Sequence, residues 1–181
     1  YLGARQEEWL VGQLAKSRAR WNLLAQGTVV GFVDEQAGPG ERFWTDSWNG
    51  YPAARERLVS ALVETKTSNP VLLGGDIHAF IASNLHFQPQ NANSAVVASE
   101  LVTTSITSQA MPQKQLDAAV AENGSLLFAN GESRGYLMMD LTRERMRADL
   151  IAMDTVTEKV ANARVLRSFA SESGKPGLGG A

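Results

Sequence analysis

The segment 74–78 (Gly-Gly-Asp-Ile-His) combines residue types that can do chemistry. Asp76 and His78 are two positions apart, so in an extended chain they would point to the same side with their Cα atoms ~6.6 Å apart. At that spacing both side chains could approach one metal ion or two adjacent ones. In a second interpretation, Asp76 caps a turn and His78 donates to a main-chain carbonyl. A short apolar strand predicted at 71–73 and the glycine pair keep both interpretations open.

A second candidate segment is 46–52 (Asp-Ser-Trp-Asn-Gly-Tyr-Pro). Asp46 and Asn49 carry oxygen ligands three residues apart, and a hard cation such as calcium accepts carboxylate and amide oxygens together. Alternatively, either residue could cap a helix that begins at Pro52, with Trp48 packed on the core. Taken alone, the segment favours the capping interpretation.

Two further motifs contain hydroxyl groups. Residues 131–135 match Gly-x-Ser-x-Gly, the nucleophile elbow of serine hydrolases, but that elbow needs a following helix and a later histidine. The sequence predicts neither, so a serine triad is excluded, and Arg134 is kept as a candidate anion contact although a solvated or salt-bridged arginine is the commoner role. The run 103–108, with Thr104 and Ser105, could contact a phosphate or support metal ligands, or it could bind its hydroxyls to the backbone.

These segments must be positioned by helices and strands. Apolar residues at helical spacing predict helices over 4–19, from Pro52, and over 113–122. Apolar or alternating patterns predict strands over 21–30, 71–73, 81–87, 95–103, 125–129, 135–142, 145–153 and 163–170, with a polar turn over 88–94. His86, inside the strand 81–87, is predicted to be structural. The order favours an α/β fold, a mixed-sheet sandwich with flanking helices. We expect this domain part over 1–170 and a flexible Gly/Pro-rich tail over 171–181.

Composition sets limits on the function. The 181 residues include 17 Lys and Arg against 19 Asp and Glu, so the formal net charge of −2 gives no basic field for nucleic acid. There is no cysteine, so any metal would be held by carboxylates, amides, the two histidines or water. The longest apolar runs are far shorter than the roughly 20 residues of a transmembrane helix. We expect the sequence to be part of a longer polypeptide, because a helical pattern begins almost at its first residue.

Several blocks together resemble a known family. They are residues 2–10 (LGARQEEWL), 20–22 (RWN), 46–55 (DSWNGYPAAR), 69–71 (NPV), 75–78 (GDIH), 100–102 (ELV), 104–108 (TSITS) and 134–136 (RGY). In this order they are similar to the C-terminal portion of the PhoD family of alkaline phosphatases and phosphodiesterases. The resemblance runs from residue 2 to about residue 153 and covers only the later part of the family.

The resemblance implies a calcineurin-like metallophosphoesterase that uses iron and calcium to hydrolyse phosphate monoesters and diesters. Asp76 and His78 match the family's Gly-Asp-x-His block and are implied as catalytic metal ligands. Asp46 matches the first acid of the Asp-x-Trp-Asp-Gly-Tyr block and is implied as a calcium ligand. Asn49 stands where that block usually has its second Asp, so a calcium ion bound there would face one negative charge fewer. A periplasmic or extracellular enzyme is also implied.

The resemblance further implies that other ligands come from an upstream half of the family that this sequence lacks. Metal catalysis of phosphoryl transfer needs adjacent cations near the entering and leaving oxygens. We therefore expect the 181-residue chain alone to bind metal weakly and turn over little, and the parent protein to be the enzyme. From a different class, the alternative is a non-catalytic, calcium-stabilised binding module with the same fold.

Overall fold

The computed structural model describes residues 1–91 and 93–181, and Ala92, in the predicted polar turn 88–94, lies outside the described residues. The helices are α1 (Ala4–Lys16), α2 (Pro52–Glu64) and α3 (Gln113–Glu122), with a short 3-10 turn at Trp48–Gly50 ahead of α2. The strands are β1 (Asn22–Ala25), β2 (Pro70–Gly74), β3 (Phe80–His86), β4 (Val96–Val102), β5 (Leu126–Asn130), β6 (Arg134–Leu141), β7 (Arg145–Met153), β8 (Ala163–Glu172) and β9 (Gly179–Gly180).

The first sheet brings the motif-bearing loops to one edge. Its strand order is β1-β2-β4-β3-β5, with β1, β2 and β4 parallel and with β3 and β5 antiparallel to their neighbours. The register sets the strand ends side by side in the pairs Ala25–Leu73, Gly74–Val102, Val102–Ile81 and Phe80–Asn130. The loops after β1, β2, β4 and β5 therefore all leave from one side of the sheet, which we call the loop edge.

The second sheet packs on one face of the first. It is antiparallel in the order β6-β7-β8-β9. The core between the sheets joins Phe80 and Leu101 of the first sheet to Met146, Leu150 and Phe169 of the second, all of them buried. Two sheets that each bury one apolar face against the other form a sandwich, so the predicted mixed-sheet architecture is confirmed.

The helices cover the other face of the first sheet. Leu14 of α1 and Leu58 and Leu62 of α2 pack against Leu72 and Leu85 of the sheet. A third cluster joins α3 to the strands β3, β4 and β5. Pro52 stands at the start of α2, as predicted, because its missing N–H is not needed there. In the described part of the chain, none of these helices has the length and apolar character needed to cross a membrane.

The strand predicted over 21–30 is shorter than expected, because β1 ends at Ala25. Val29 and Val30 are buried without lying in a strand. Their β-branched side chains fit the core, while the N–H of Val30 is bound by a side chain and not by a neighbouring strand. β1 is the outer strand of its sheet, and it leaves Leu23 45% exposed. Trp9 of α1, which is 61% exposed, lines the same groove as Leu23.

Part of the segment 171–181, predicted as a flexible tail, makes contacts with the rest of the chain. β8 continues to Glu172, and β9 pairs with it through the partners Phe169–Gly180 and Ala170–Gly179. Leu178 is buried in the core between the sheets, and its N–H donates to Asn84 Oδ1 at 2.7 Å. Composition alone did not reveal this packing, because one leucine among glycines supplies the contact.

Candidate metal centre

The segment 75–79 leaves the loop edge in a conformation that the sequence did not predict. Asp76 and His78 have φ angles of 70° and 59°, and the N–H of Ile77 donates to the carbonyl oxygen of Gly75 at 2.9 Å. The chain is therefore tightly turned, and the extended geometry assumed for the pair is wrong. Left-handed backbone at residues other than glycine is uncommon and concentrates at functional sites, where surrounding contacts enforce it.

Gly74 shows why glycine precedes this turn. A Cβ atom at Gly74 would collide with the carbonyl oxygen of Thr28, so the loop after β1 can approach β2 only where no side chain intervenes. The hydroxyl of Thr28 is buried at this contact and has no hydrogen-bond partner among the described residues. Such an orphaned polar atom is uncommon, because nearly all buried polar groups have a hydrogen-bond partner.

His78 is held by its backbone and by its ring. Its Nδ1 lies 2.9 Å from the main-chain oxygen of Gln109, and its own carbonyl oxygen accepts a hydrogen bond from Thr104 Oγ1 at 3.0 Å. The ring bond is the one expected if His78 donates to a main-chain carbonyl. It is also the bond that orients most metal-binding histidines, because it leaves Nε2 as the ligand atom. Both interpretations of His78 therefore agree with this geometry.

Asp46 and Asn49 lie in the turn before α2, and neither caps that helix. The N-cap of α2 is Tyr51, which makes no side-chain capping bond, and the 3-10 turn is capped by Ser47, which accepts from the N–H of Asn49 at 3.2 Å. The capping interpretation of the segment 46–52 is therefore wrong. Trp48 is buried in the core, as that interpretation expected.

The two candidate ligands of this turn differ in exposure and in hydrogen bonding. The Asp46 carboxylate is exposed. The Asn49 side chain is half-buried, and its Nδ2 donates to the carbonyl oxygen of Gly31 at 3.1 Å and to Ser47 Oγ at 3.2 Å. Because an amide nitrogen has two hydrogens to donate, the amide oxygen of Asn49 is the atom left for a ligand.

Tyr1 connects the two acidic candidates. Its ring packs on Trp48 and Tyr51 with centroid distances of 4.6 Å and 5.3 Å. Burial raises the pKa of its phenol, and the charges of Asp76 and Asp46 raise this pKa further. The two carboxylates thus act on one hydroxyl group from different loops.

These candidates do not form a closed metal cluster by themselves. Within residues 1–91 and 93–181, no group of three or more His, Cys, Asp or Glu side chains is arranged to hold a metal ion. Asp46 and Asn49 belong to the loop after β1, and Asp76 and His78 belong to the loop after β2, and both loops leave the sheet at the loop edge. Their role as metal ligands stays a prediction, and so does the catalytic role of Asp76 and His78.

The residues predicted to contact substrate are bound to backbone. Thr104 Oγ1 also lies 3.0 Å from the carbonyl oxygen of Ser133, Ser105 Oγ donates to the carbonyl oxygen of Ser108, and Arg134 Nη1 donates to the carbonyl oxygen of Gly131 at 2.8 Å. These bonds correspond to the backbone-bound alternative for the 103–108 run. A substrate role for Thr104, Ser105 and Arg134 stays a prediction.

Sequence reasoning missed a buried charged pair behind the site. Glu100, in the middle of β4, is fully buried, and its carboxylate accepts from the N–H groups of Val30 and Gly31 at 2.6 Å and 2.9 Å and from Ser83 Oγ at 2.9 Å. Arg55 Nε of α2 donates to the carbonyl oxygen of Val30 at 2.6 Å. The two side chains therefore hold the loop whose Gly31 binds Asn49.

The pKa values of this pair reflect its burial. Burial raises the pKa of Glu100, against the lowering effect of its hydrogen bonds and of Arg55, and burial lowers the pKa of Arg55. The sequence contained a signal for Glu100, namely a glutamate within the apolar pattern of β4. A charged residue is almost never fully buried unless it is paired, so a buried partner could have been sought.

Comparisons with known proteins agree with this architecture. The sequence model of the PhoD-like phosphatase family matches residues 1–150. Over 180 residues the chain is 36% identical to alkaline phosphatase D of Bacillus subtilis (strain 168). This alignment covers 98% of this chain and 31% of that protein. A solved structure described as "Structure of PhoD" aligns with a TM-score of 0.91 and 36% identity over 99% of this chain and 35% of the other. The chain thus spans about a third of the length of these relatives.

Proposed function

Because the chain belongs to the PhoD-like phosphatase family, we propose that it is part of a metal-dependent phosphoesterase that hydrolyses phosphate monoesters, diesters or both. The observation that carries this proposal is that the loop after β1 contacts both candidate segments: the N–H of Trp48 donates to the carbonyl oxygen of Val29 at 3.2 Å, and Gly74 lies against the carbonyl oxygen of Thr28. The two segments carry two carboxylates, an imidazole and an amide oxygen.

The donor chemistry of these residues fits the metals that the family resemblance implies. Carboxylate and amide oxygens suit calcium, so Asp46 and Asn49 would hold it, and imidazole with carboxylate suits iron, so His78 and Asp76 would hold that ion. When bound, the cations would activate a water-derived nucleophile and neutralise charge on the phosphate. We propose that sequence outside this chain supplies the remaining ligands, because the described residues lack a three-ligand group.

The protein's own residues have definite tasks in this proposal. The Gln109 carbonyl oxygen fixes the His78 ring and leaves Nε2 as its ligand atom. Ser47 and Gly31 fix the Asn49 amide group and leave its oxygen as the ligand atom. These contacts support a site whose geometry exists before a ligand binds.

The test is an assay of the longest polypeptide that carries these 181 residues, with p-nitrophenyl phosphate and bis-p-nitrophenyl phosphate as substrates. We expect hydrolysis that a chelator abolishes, iron and calcium in the purified protein, and little activity from the 181-residue chain alone. His78→Ala should remove hydrolysis with little change in the thermal midpoint.

His86→Ala is the matched control. His86 lies at the other end of β3, and its Nδ1 also lies near a main-chain oxygen, that of Ser94, at 2.8 Å. We expect this variant to lose stability while its hydrolysis rate per folded molecule is kept. Calcium alone with no hydrolysis would contradict the enzyme proposal and would favour the calcium-stabilised binding module. Full activity of the short chain would contradict the need for ligands from outside it.

Export is a separate proposal. The family resemblance supports a periplasmic or extracellular enzyme, and fractionation of the source cells with antibody detection tests it. Recovery of the protein in the cytoplasmic fraction alone would contradict export.

A further inference from the structure

A cavity of about 250 Å³ lies between α3 and the loops that follow β1 and β2. Its walls are apolar and include Val29, Ile81, Leu116, Ala119 and Leu126, all of them buried. We call it the α3 cavity. Most ligand sites are of this kind, with apolar walls and a few polar groups at defined places.

The α3 cavity adjoins the candidate metal centre on two sides. Asn49 lines it directly. Ile77, which lines it as well, stands between Asp76 and His78 in the turned segment 75–79. A ligand in the cavity would therefore lie beside two loops that carry candidate ligands.

The polar residues that line the α3 cavity are Glu35, Arg42, Ser47, Asn49, Lys114 and Gln115. Arg42 is engaged by Glu35, since Arg42 Nε lies 3.6 Å from Glu35 Oε2 and Nη2 donates to the Glu35 carbonyl oxygen at 3.1 Å. Lys114 at the start of α3 is exposed and makes no ion pair with the described residues. A ligand with one apolar part and one anionic part matches this distribution, because the apolar part can avoid water while the anionic part stays beside the ammonium group of Lys114.

We propose that the α3 cavity binds the apolar alcohol group of the phosphoester substrate, an aryl or short branched alkyl group, with the phosphate directed toward Asn49 and His78. This inference rests on the proposed function and adds a substrate class to it. The volume is below the range of about 300–1,000 Å³ that drug-sized ligands need, so one or two fused rings fit and a longer chain does not. A polyhydroxylated alcohol would bury hydroxyl groups against apolar walls and is disfavoured there.

Two alanines of α3 provide a matched pair of variants. Ala118 is exposed and lines the α3 cavity, whereas Ala121 is exposed on the same helix and does not line it. Ala118→Phe should fill the entrance without disturbing the core, and Ala121→Phe adds the same ring elsewhere. Thermal unfolding of both variants verifies that each is folded.

The experiment uses the longest polypeptide that carries residues 1–181. Calorimetry with 1-naphthol, and with glycerol as the polar match, measures binding of the alcohol alone. Kinetics with 1-naphthyl phosphate and methyl phosphate measure how the alcohol group changes KM for the ester. We expect naphthol to bind and glycerol not to bind. Ala118→Phe should weaken naphthol binding and raise KM for the naphthyl ester at least about tenfold, and it should change KM for the methyl ester much less. In Ala121→Phe, naphthol binding and KM for the naphthyl ester should stay close to those of the parent.

Each other outcome overturns the inference in a recognisable way. If esters are hydrolysed normally but naphthol does not bind, the α3 cavity does not bind substrate and the proposed function stays intact. The same conclusion follows if esters are hydrolysed and the two variants have equal effects. Naphthol binding without hydrolysis of any ester would overturn the proposed function and, with it, the assignment of the cavity to substrate.

Discussion

The hydroxyl of Thr104 shares its hydrogen between the carbonyl oxygens of His78 and Ser133, each 3.0 Å away. It connects the loop after β4 to the turned segment 75–79 and to the turn before β6. His78 has a φ of 59°, so this contact helps to hold a conformation that the residue would not adopt freely. Thr104 is therefore a positioning residue for His78.

Thr104→Val should lower hydrolysis by the longer polypeptide more than it lowers stability. The variant keeps the side-chain shape and loses the hydroxyl, so we expect a stability loss of about 1 kcal/mol. Changes in the partners of metal ligands typically cost roughly 10–100-fold in affinity or activity. Urea unfolding and phosphoester kinetics measure the two effects. Thr107→Val, at an exposed position of the same run, is the control. An unchanged rate with reduced stability would limit Thr104 to a structural role.

Glu100→Gln should destabilise the protein strongly. The carboxylate of Glu100 accepts hydrogen bonds through both of its oxygens, from two backbone N–H groups and Ser83. An amide would turn a donor toward one of these partners and would also leave Arg55 without a buried countercharge. We expect a loss on the order of 3 kcal/mol in the free energy of unfolding. Urea denaturation followed by circular dichroism gives this value.

An exposed ion pair between α2 and α1 provides the comparison for Glu100. Arg57 Nη2 donates to Glu7 Oε2 at 3.0 Å, and more than half of the Arg57 side chain is exposed. Arg57→Ala should lower the free energy of unfolding far less than Glu100→Gln does, since exposed pairs contribute little. Equal losses from the two substitutions would show that Glu100 is not a buried anchor of the loop at Val30.

Asp149 should make the protein sensitive to acid. Burial tends to raise the pKa of Asp149, but hydrogen bonds from Ser168 Oγ at 2.6 Å and Arg147 Nε at 3.0 Å hold this pKa below its ordinary value of 3.8. A lowered folded-state pKa gives stability that is present above pH 3.8 and is lost as the pH falls below that value.

Asp149→Asn should reduce this acid dependence. Above the ordinary pKa we expect the variant to be less stable than the parent by about 1–2 kcal/mol, because it loses charge-assisted hydrogen bonds from a partly exposed arginine. The difference should shrink as the pH falls below 3.8. Thermal unfolding at a series of pH values measures it, with Glu158→Gln at an exposed position as the control. A difference that does not vary with pH would contradict the assignment.

Leu178→Ala should destabilise the sandwich although Leu178 is three residues from the chain end. Its side chain is buried between the sheets, and truncating a buried leucine costs roughly 2–5 kcal/mol. Lys175→Ala, at an exposed position of the same segment, should have almost no effect. Urea unfolding compares them, and equal midpoints for both variants would mean that the segment is loose in solution.

The sequence predicted most helices and strands because their patterns are local. Pro52 marked the start of α2, and the apolar run after Pro70 marked β2. Val29 and Val30 misled the assignment of β1, since β-branched residues favour strands by side-chain packing and the polar atoms of Val30 are bound by Glu100 and Arg55. Those two partners come from distant parts of the chain, and a local pattern cannot reveal them.

The candidate site was predictable in its residue types and not in its geometry. Asp76 and His78 were found from their spacing, but the left-handed backbone of His78 is supported by contacts with Gln109 and Thr104, about thirty residues away. The α3 cavity had no signal in the sequence at all, because its walls come from five separate segments that each look like ordinary core.

The outer position of β1 affects how the protein can be handled. One side of this strand pairs with β2, and the other presents main-chain N–H and C=O groups next to the exposed side chains of Leu23 and Trp9. An open strand flanked by apolar surface is a template on which another chain can add. A preparation of these 181 residues alone is therefore expected to self-associate as its concentration rises, and added polypeptide that shields β1 should keep it monodisperse.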